Sequence, residues 1–175
     1  TCGFFVCRNM RNTIHVLDMQ RIVIRAIGKI PHGWQRQGAA EYLERLSPFT
    51  AVNVVELPEG HDGSAKPDLV RTRQAEAISL LKGIPEDSLV IALDETGTGF
   101  SSTSFANHLA EWSAGGKTLV FVIGGSWGID ESVRKRANAI VSFGKMTFPH
   151  ALARIILLEQ LYRTAMIQSG KTYHK

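Results

Sequence analysis

The sequence predicts an α/β fold in which helices flank a mainly parallel sheet. Three observations support this prediction. Apolar, strand-like runs alternate along the chain with segments of helical periodicity. The 175 residues, of which 44% are hydrophobic, suit one domain with its own core. Glycine-bearing loops also follow three successive strand-like runs, as expected of an open sheet that binds a ligand at its carboxyl edge.

Five runs have the composition of strands. "RIVIRAI" and "AVNVVEL" are rich in β-branched residues and indicate the first two strands. "SLVIALD" and "KTLVFVI" are almost wholly apolar, which is typical of strands covered on both faces, and "AIVSF" is a brief fifth strand. The predicted strands cover 21–27, 51–57, 88–94, 117–123 and 139–143.

A helical pattern follows each predicted strand. The third helix has a serine-rich start and a Gly-Gly end, both of which are typical helix boundaries. The last helix has an apolar band too wide for a lone surface helix, so either it is central to the core or one face meets a second subunit. The predicted helices cover 34–46, 68–81, 101–116, 130–137 and 151–169.

Composition excludes several classes of protein. The longest apolar runs are far shorter than the roughly 20 residues of a membrane-spanning helix. Cys2 and Cys7 are the only cysteines, which fits a reducing, cytoplasmic setting without a disulfide framework. The histidines lack the paired spacing of zinc motifs, so we expect no metal site. Regular patterning begins only at Gln20, so we expect 1–18 to be a poorly ordered extension and 19–175 to be a single domain.

Charge is distributed unevenly along the chain. The segment 134–175 contains eight Lys or Arg residues and one acid, Glu159, whereas the rest of the chain is slightly acidic. Such asymmetry favours a polyanionic partner at one face, with a solvated basic surface as the alternative.

The three glycine-bearing loops are the best candidates for a binding site. They read "LDETGTGFSS", "IGGSWGID" and "FGKMTFPH" and follow the third, fourth and fifth strands. In open α/β sheets ligands bind at the carboxyl ends of strands, and glycine lets a ligand approach the backbone closely. These loops therefore predict a small, nucleoside-like cofactor held largely by main-chain groups.

Other loop chemistries fit the sequence less well. Residues 124–128, "GGSWG", match the G-x-S-x-G pattern of a serine hydrolase with Ser126 as the nucleophile. That chemistry needs acidic and histidine partners on later loops, and little chain follows Ser126. Neither a complete G-x-G-x-x-G nor a G-K-[ST] motif is present, which disfavours dinucleotide and nucleoside triphosphate sites.

Several motifs in order along the chain resemble those of one enzyme family. "AIGK", "EYLERL", "LDETG", "VFVIGGSWGID" and "KMTFPHALARIILLEQLYRTAMIQSGKTYHK" are similar to motifs of the ribosomal large-subunit pseudouridine N3-methyltransferases of the SPOUT superfamily, over Gln20 to Lys175. The resemblance implies a C-terminal deep trefoil knot, an exception to the rule against threaded chains. It also implies a homodimer that acts on the assembled ribosome and methylates N3 of a pseudouridine in a hairpin of 23S rRNA.

The resemblance also implies S-adenosylmethionine as the cofactor. The positions that it carries over coincide with the three strand-end loops. The implied cofactor-binding residues are Leu93, Gly124, Phe143, Gly144, Lys145, Met146, Thr147 and Phe148.

The chemistry of methyl transfer suggests roles for residues near the C-terminus. A sulfonium is a strong electrophile, so the enzyme has to align the methyl group with N3 and assist loss of the N3 proton. As a hypothesis, His174, beside Tyr173, accepts that proton or orients the base, and Arg154 holds the RNA. Alternatively, Tyr173 and His174 only pack at the dimer interface. The tail reads "KTYHK", without the proline that usually precedes this tyrosine in the family.

A non-catalytic RNA-binding module with the same fold is the competing class. Gly124 and Gly125 argue against it, because a loop that held no cofactor could tolerate side chains. On this argument Gly124→Val obstructs the cofactor and leaves the fold largely intact.

Overall fold

The computed structural model describes residues 21–61, 63, 66–171 and 173. The predictions for the extension 1–18 and for His174 concern residues outside these ranges, and the division at residue 19 stays a prediction. The strands are β1 (Arg21–Ile27), β2 (Ala51–Leu57), β3 (Leu89–Gly99), β4 (Leu119–Ile123) and β5 (Ala139–Ser142). The helices are α1 (Trp34–Leu46), α2 (Leu69–Leu81), α3 (Ser102–Ser113), α4 (Glu131–Arg136) and α5 (His150–Gln168).

The predicted α/β class is confirmed. The five strands form one sheet in the order β2-β1-β4-β3-β5, and every pair of neighbours is parallel. All carboxyl ends therefore lie at the same edge. None of the helices in the described ranges is long and apolar enough to cross a membrane.

β3 is longer than the sequence predicts. Its pairing with β5 is interrupted, because Leu93 and Thr98 both face Val141, and pairing then continues between Gly99 and Ser142. The residues between Leu93 and Thr98 form a bulge. What the sequence indicates as a loop after residue 94 is thus an irregular extension of β3 along β5.

Two layers of helices cover the sheet. Helices α1, α3 and α5 bury one face, and α2 and α4 cover the other. Helix α5 packs against both α1 and α3 and places Leu157, Leu158 and Leu161 in the core at 0% exposure. The core side of this apolar band is thus explained within one chain, whereas Leu152, Ile155, Ile156 and Tyr162 are only half-buried, so contact of that side with a second subunit stays a prediction.

The segment 143–149 crosses the carboxyl edge of the sheet. It leaves β5 at one edge, and α5 begins beside the end of β1, where His150 lies against Gly28. Because β3 and β4 lie between these strands, the segment passes their carboxyl ends. This path is compatible with the implied trefoil knot, which stays a prediction.

Candidate functional site

The three loops chosen from the sequence meet at the end of β3. Leu93 faces Ile123 of β4 on one side and Val141 of β5 on the other. Gly124 directly follows Ile123, and Phe143 begins two residues after Val141. The parallel register thus brings together predicted cofactor residues that are far apart in sequence.

A pocket of about 380 Å³ lies beside this convergence, within the size range of small-molecule sites. The ends of β3 and β5 form one side, with Phe100, Phe143 and Gly144 among the lining residues. Helix α5 contributes Gln160, whose side-chain oxygen accepts a 2.8 Å hydrogen bond from the Ser102 hydroxyl of α3. Phe143 and Gly144 therefore line a cavity with apolar and polar walls.

The other predicted cofactor residues lie outside the lining of this pocket. Leu93 is half-buried at the end of the regular part of β3, and Gly124 is buried at the start of its loop. Of the run that follows Gly144, Phe148 is half-buried. The exposed residues of that run are Lys145, Met146 and Thr147. The predicted residues thus share one edge of the sheet but not one cavity.

Ser142 stabilises the turn at Gly144, a role that the sequence did not predict. Its hydroxyl accepts the N–H of Gly144 at 3.0 Å and lies 3.2 Å from the carbonyl oxygen of Glu95. Gly144 has a φ of 123°, a conformation that favours glycine. A serine at the end of a strand is too common a signal to identify this role from sequence.

The two glycines at 124 and 125 are required by the fold of the chain itself. A Cβ on Gly124 would lie 2.8 Å from the carbonyl oxygen of Gly128, and one on Gly125 would lie 2.7 Å from Oε1 of Glu76. Contacts within the chain are therefore enough to require glycine at both positions, without any ligand. The expectation that the loop tolerates side chains without a cofactor is wrong, and a valine at 124 forces the 125–128 turn to move.

Ser126 is exposed in a tight turn closed by a 3.2 Å hydrogen bond from the N–H of Gly128 to the carbonyl of Gly125. Asp130, the nearest downstream acid, instead accepts hydrogen bonds from the backbone and hydroxyl of Ser132 and caps α4. Among the described residues, no hydrogen bond joins Ser126 to an imidazole or a carboxylate. In the part of the chain that the structure describes, Ser126 therefore lacks the partners that a nucleophilic serine needs.

An ion pair joins β3 to α4. Oδ1 of Asp94, after the regular part of β3, lies 2.8 Å from Nη1 of Arg134 in α4, and Arg134 also donates to the hydroxyl of Thr96 at 3.0 Å. Burial by itself raises the pKa of Asp94, but hydrogen bonds from Arg134 and Thr96 outweigh it and hold that pKa below its usual range. The pair therefore stabilises the ionised carboxylate.

We expect Arg134→Gln to lower the free energy of unfolding at pH 7 by about 1–3 kcal/mol, because it leaves the Asp94 carboxylate with a weaker partner. The Asp94 side chain is only 6% exposed. Since its folded pKa is depressed, the stabilisation is present above the unfolded pKa, near 3.8, and is lost as pH falls through the folded value. Urea unfolding at several pH values measures this, with exposed Lys135→Gln as the control. Equal stability of Arg134→Gln and wild type at pH 7 contradicts the expectation.

Helix α2 contributes a buried acid next to the 124–128 loop. Glu76 is 3% exposed and accepts a 3.2 Å hydrogen bond from the N–H of Gly60. Burial raises the pKa of Glu76; hydrogen bonds from the backbone of Gly60 and Gly125 oppose this rise, the charge of Glu59 adds to it, and His61 opposes it. The charged form is therefore less favourable in the folded protein than in the unfolded chain.

We expect Glu76 to make the protein less stable as pH rises. Because its folded pKa is raised, the folded state holds the proton more tightly, so stability decreases from the unfolded pKa, near 4.5, up to the folded value. In Glu76→Gln this contribution is absent. Urea unfolding of both proteins between pH 4.5 and 7.5 measures it, and parallel pH profiles of the two would contradict it.

Comparison with known proteins identifies the family. Residues 20–174 match a family model described as predicted SPOUT methyltransferase. The chain belongs to the SPOUT methyltransferase family. It is 43% identical over 157 residues to proteins of Bacillus thuringiensis subsp. konkukian and Bacillus anthracis that are each named ribosomal RNA large subunit methyltransferase H. Each alignment covers 88% of this chain and 99% of the relative.

A solved structure supports the fold alone. A "probable methylase family protein" from Haemophilus influenzae superposes with a TM-score of 0.50 at 14% identity. The match covers 89% of this chain and 70% of that protein.

In this SPOUT methyltransferase Arg154 is an internal residue, contrary to the prediction that it holds RNA. Its guanidinium is 0% exposed and donates to Oε1 of Glu56 at 2.9 Å and to the carbonyls of Ile27 and Gly28 at 3.2 and 3.0 Å. Burial lowers the pKa of Arg154, and Glu56 opposes this shift. Arg154 thus joins the start of α5 to the ends of β1 and β2, where no phosphate can reach it.

The basic C-terminal segment is partly neutralised. Arg134, Arg154 and Arg163 all have carboxylate partners, and Lys171 lies over the ring of Phe49. Lys135 and Lys145 are exposed. The charge count along the sequence therefore overstates the positive charge available at the surface.

In this SPOUT methyltransferase Tyr173 packs against helix α5 of its own chain. The ring of Tyr173 packs edge-on against Tyr162 at 5.0 Å between centroids, and Cζ of Arg163 lies 4.9 Å from the Tyr173 ring centre. Burial, followed by the interaction with Tyr42, raises the pKa of Tyr173. At neutral pH Tyr173 is therefore a hydrogen-bond donor rather than a base.

Proposed function

We propose that this protein transfers a methyl group from S-adenosylmethionine to large-subunit ribosomal RNA, at N3 of a pseudouridine in 23S rRNA. The observation that carries the proposal is the convergence of the bulged part of β3 with the loops after β4 and β5, around Leu93. Membership of the SPOUT methyltransferase family and the names of the relatives support the reaction and the substrate class.

The residues of the convergence fit a nucleoside-like cofactor. The pocket beside it has aromatic walls at Phe100 and Phe143 for a base or ribose, and Gly144 places main-chain groups at its rim without a side chain. Leu93, Gly124 and the run 143–148 are the residues proposed to hold S-adenosylmethionine. The cofactor supplies an electrophilic methyl group, and the loops orient it toward the RNA.

The N3 proton has to leave during transfer. Because Tyr173 stays protonated at neutral pH, it suits hydrogen bonding to an oxygen of the base. His174 follows it in sequence and remains the proposed proton acceptor, since an ordinary histidine titrates near neutral pH. Exposed Lys145, on the crossing segment, is a suitable contact for an RNA phosphate.

A non-catalytic RNA-binding module is the second candidate. The observation that favours it is that Gly124 and Gly125 are explained by contacts within the chain. Calorimetric titration with S-adenosylhomocysteine separates the two candidates. The methyltransferase proposal expects saturable binding of one molecule per chain, and a folded protein that shows no binding overturns it.

We also propose a cytoplasmic homodimer that acts on assembled ribosomes. Two copies together would present a larger surface to the shape of the RNA than one copy does. We expect light scattering after gel filtration to give twice the chain mass of 19.3 kDa. A single-chain mass at micromolar concentration contradicts the dimer.

A further inference from the structure

Glu76 lies between two glycines from different loops. A Cβ on Gly60, in the β2–α2 loop, would lie 2.9 Å from Cγ of Glu76, and a Cβ on Gly125 would lie 2.7 and 2.9 Å from its two carboxylate oxygens. The N–H of Gly60 donates a 3.2 Å hydrogen bond to Oε1 of Glu76, and Gly125 packs against both carboxylate oxygens. The two loops therefore close on the Glu76 side chain from separate parts of the chain.

Glu76 has no ion-pair partner within the described ranges. Among the residues that the structure describes, none forms a hydrogen bond of good geometry with its Oε2. Ala77 and Leu80, in the same helix, are buried in the apolar core between α2 and the sheet. An apolar side chain would suit this core better, because a buried carboxyl group without a counter-ion is costly.

The position of Gly125 shows what the carboxylate does. Gly125 directly follows Gly124, and the 125–128 turn packs back on Gly124, since Gly128 is the nearest backbone to a Cβ there. A carboxylate packed against Gly125 thus positions the whole turn at the end of β4. The hydrogen bond from the N–H of Gly60 fixes the carboxylate itself.

We propose that Glu76 is a positioning residue for the cofactor loop: it accepts the N–H of Gly60 and packs against Gly125, so that Gly124 lies correctly at the end of β4. The inference rests on the proposed function in one respect, that the 124–128 loop borders the S-adenosylmethionine site. Glu76 acts through Gly125 and does not touch the cofactor.

The test is a double-mutant cycle of Glu76→Ala and Gly125→Ala, with Glu76→Gln as the conservative variant. Each alanine variant is expected to weaken S-adenosylhomocysteine binding at least about tenfold, which is measured by calorimetry on folded protein. Because the new Cβ of Gly125→Ala meets the Glu76 carboxylate, its penalty should be smaller in the Glu76→Ala background. Glu76→Gln keeps one acceptor oxygen and is expected to lie between wild type and Glu76→Ala.

Amide hydrogen exchange gives a readout without any ligand. In Glu76→Ala the amides of Gly60 and Gly125 are expected to exchange faster, whereas that of Val122 in β4 stays protected. Leu80 is buried in the same helix, so Leu80→Val is the control for lost packing. It is expected to lower stability but to leave the exchange rates of both glycine amides and the affinity unchanged.

The outcomes separate the two proposals. Faster exchange at Gly125 in a protein whose wild type binds no S-adenosylhomocysteine overturns the proposed function and leaves the positioning role intact. Unchanged exchange at Gly125, or unchanged affinity with independent effects of the two alanines, overturns the positioning role. A loss of stability in Glu76→Ala that matches Leu80→Val in every readout also overturns it.

Discussion

Arg154→Met is expected to lower the free energy of unfolding by about 3–5 kcal/mol, the usual cost of removing one partner from a buried ion pair. Methionine fills much of the same space but donates no hydrogen bond. The carbonyls of Ile27 and Gly28 then lose a donor, and the carboxylate of Glu56 loses its cation. Urea unfolding followed by circular dichroism measures the change.

Two further variants test whether the loss of stability in Arg154→Met comes from the burial of its ion pair. Arg154→Lys keeps the charge but not the forked donor, so it should fall between wild type and Arg154→Met. Arg71→Met breaks an exposed pair with Asp68, whose N···O distance is 3.5 Å, and should cost about 0–1 kcal/mol. If Arg154→Met costs no more than Arg71→Met, the internal role of Arg154 is wrong.

Gly124→Val is expected to abolish cofactor binding, lowering affinity for S-adenosylhomocysteine by about 100-fold or more. A Cβ at this position meets the Gly128 carbonyl oxygen and Cγ2 of Ile129, both at 2.8 Å, so the turn has to move. The same clash should cost about 1–3 kcal/mol of stability, as overpacking does elsewhere. Calorimetry and urea unfolding give the two values.

Ser126→Ala is the matched control in the same turn. Its side chain is exposed, so both stability and affinity should remain at wild-type values. Wild-type affinity in Gly124→Val would remove the 124–128 loop from the cofactor site. Lost methyl transfer in a folded Ser126→Ala variant with intact binding would instead reopen a chemical role for this serine.

The sequence predicts the elements of this fold well because their signals are local. Apolar runs and helical spacing locate every strand and helix to within a few residues. The extension of β3 escapes prediction, because it depends on pairing of Thr98 and Gly99 with residues of β5 more than forty positions away. The local pattern of the sequence gives no information about such long-range pairing.

The candidate site could likewise be predicted from the sequence only in part. Strand ends and the family resemblance select the three loops, and the register places them together at Leu93. The burial of Arg154 could not be predicted, since its partners lie 98 to 127 positions earlier in the chain. The need for glycine at position 125 could not be predicted either. The side chain that excludes a Cβ there is that of Glu76, which lies in α2, far from Gly125 in sequence.

Methyl transfer to ribosomes tests the central claim most directly. Ribosomes whose large-subunit RNA lacks the modification are incubated with the protein and isotopically labelled S-adenosylmethionine, and the RNA is then mapped by mass spectrometry. The account predicts one labelled methyl group, on N3 of a pseudouridine in 23S rRNA, and none with the Gly124→Val protein. A folded wild-type protein that transfers no methyl group to large-subunit RNA, in ribosomes or in free subunits, would contradict it.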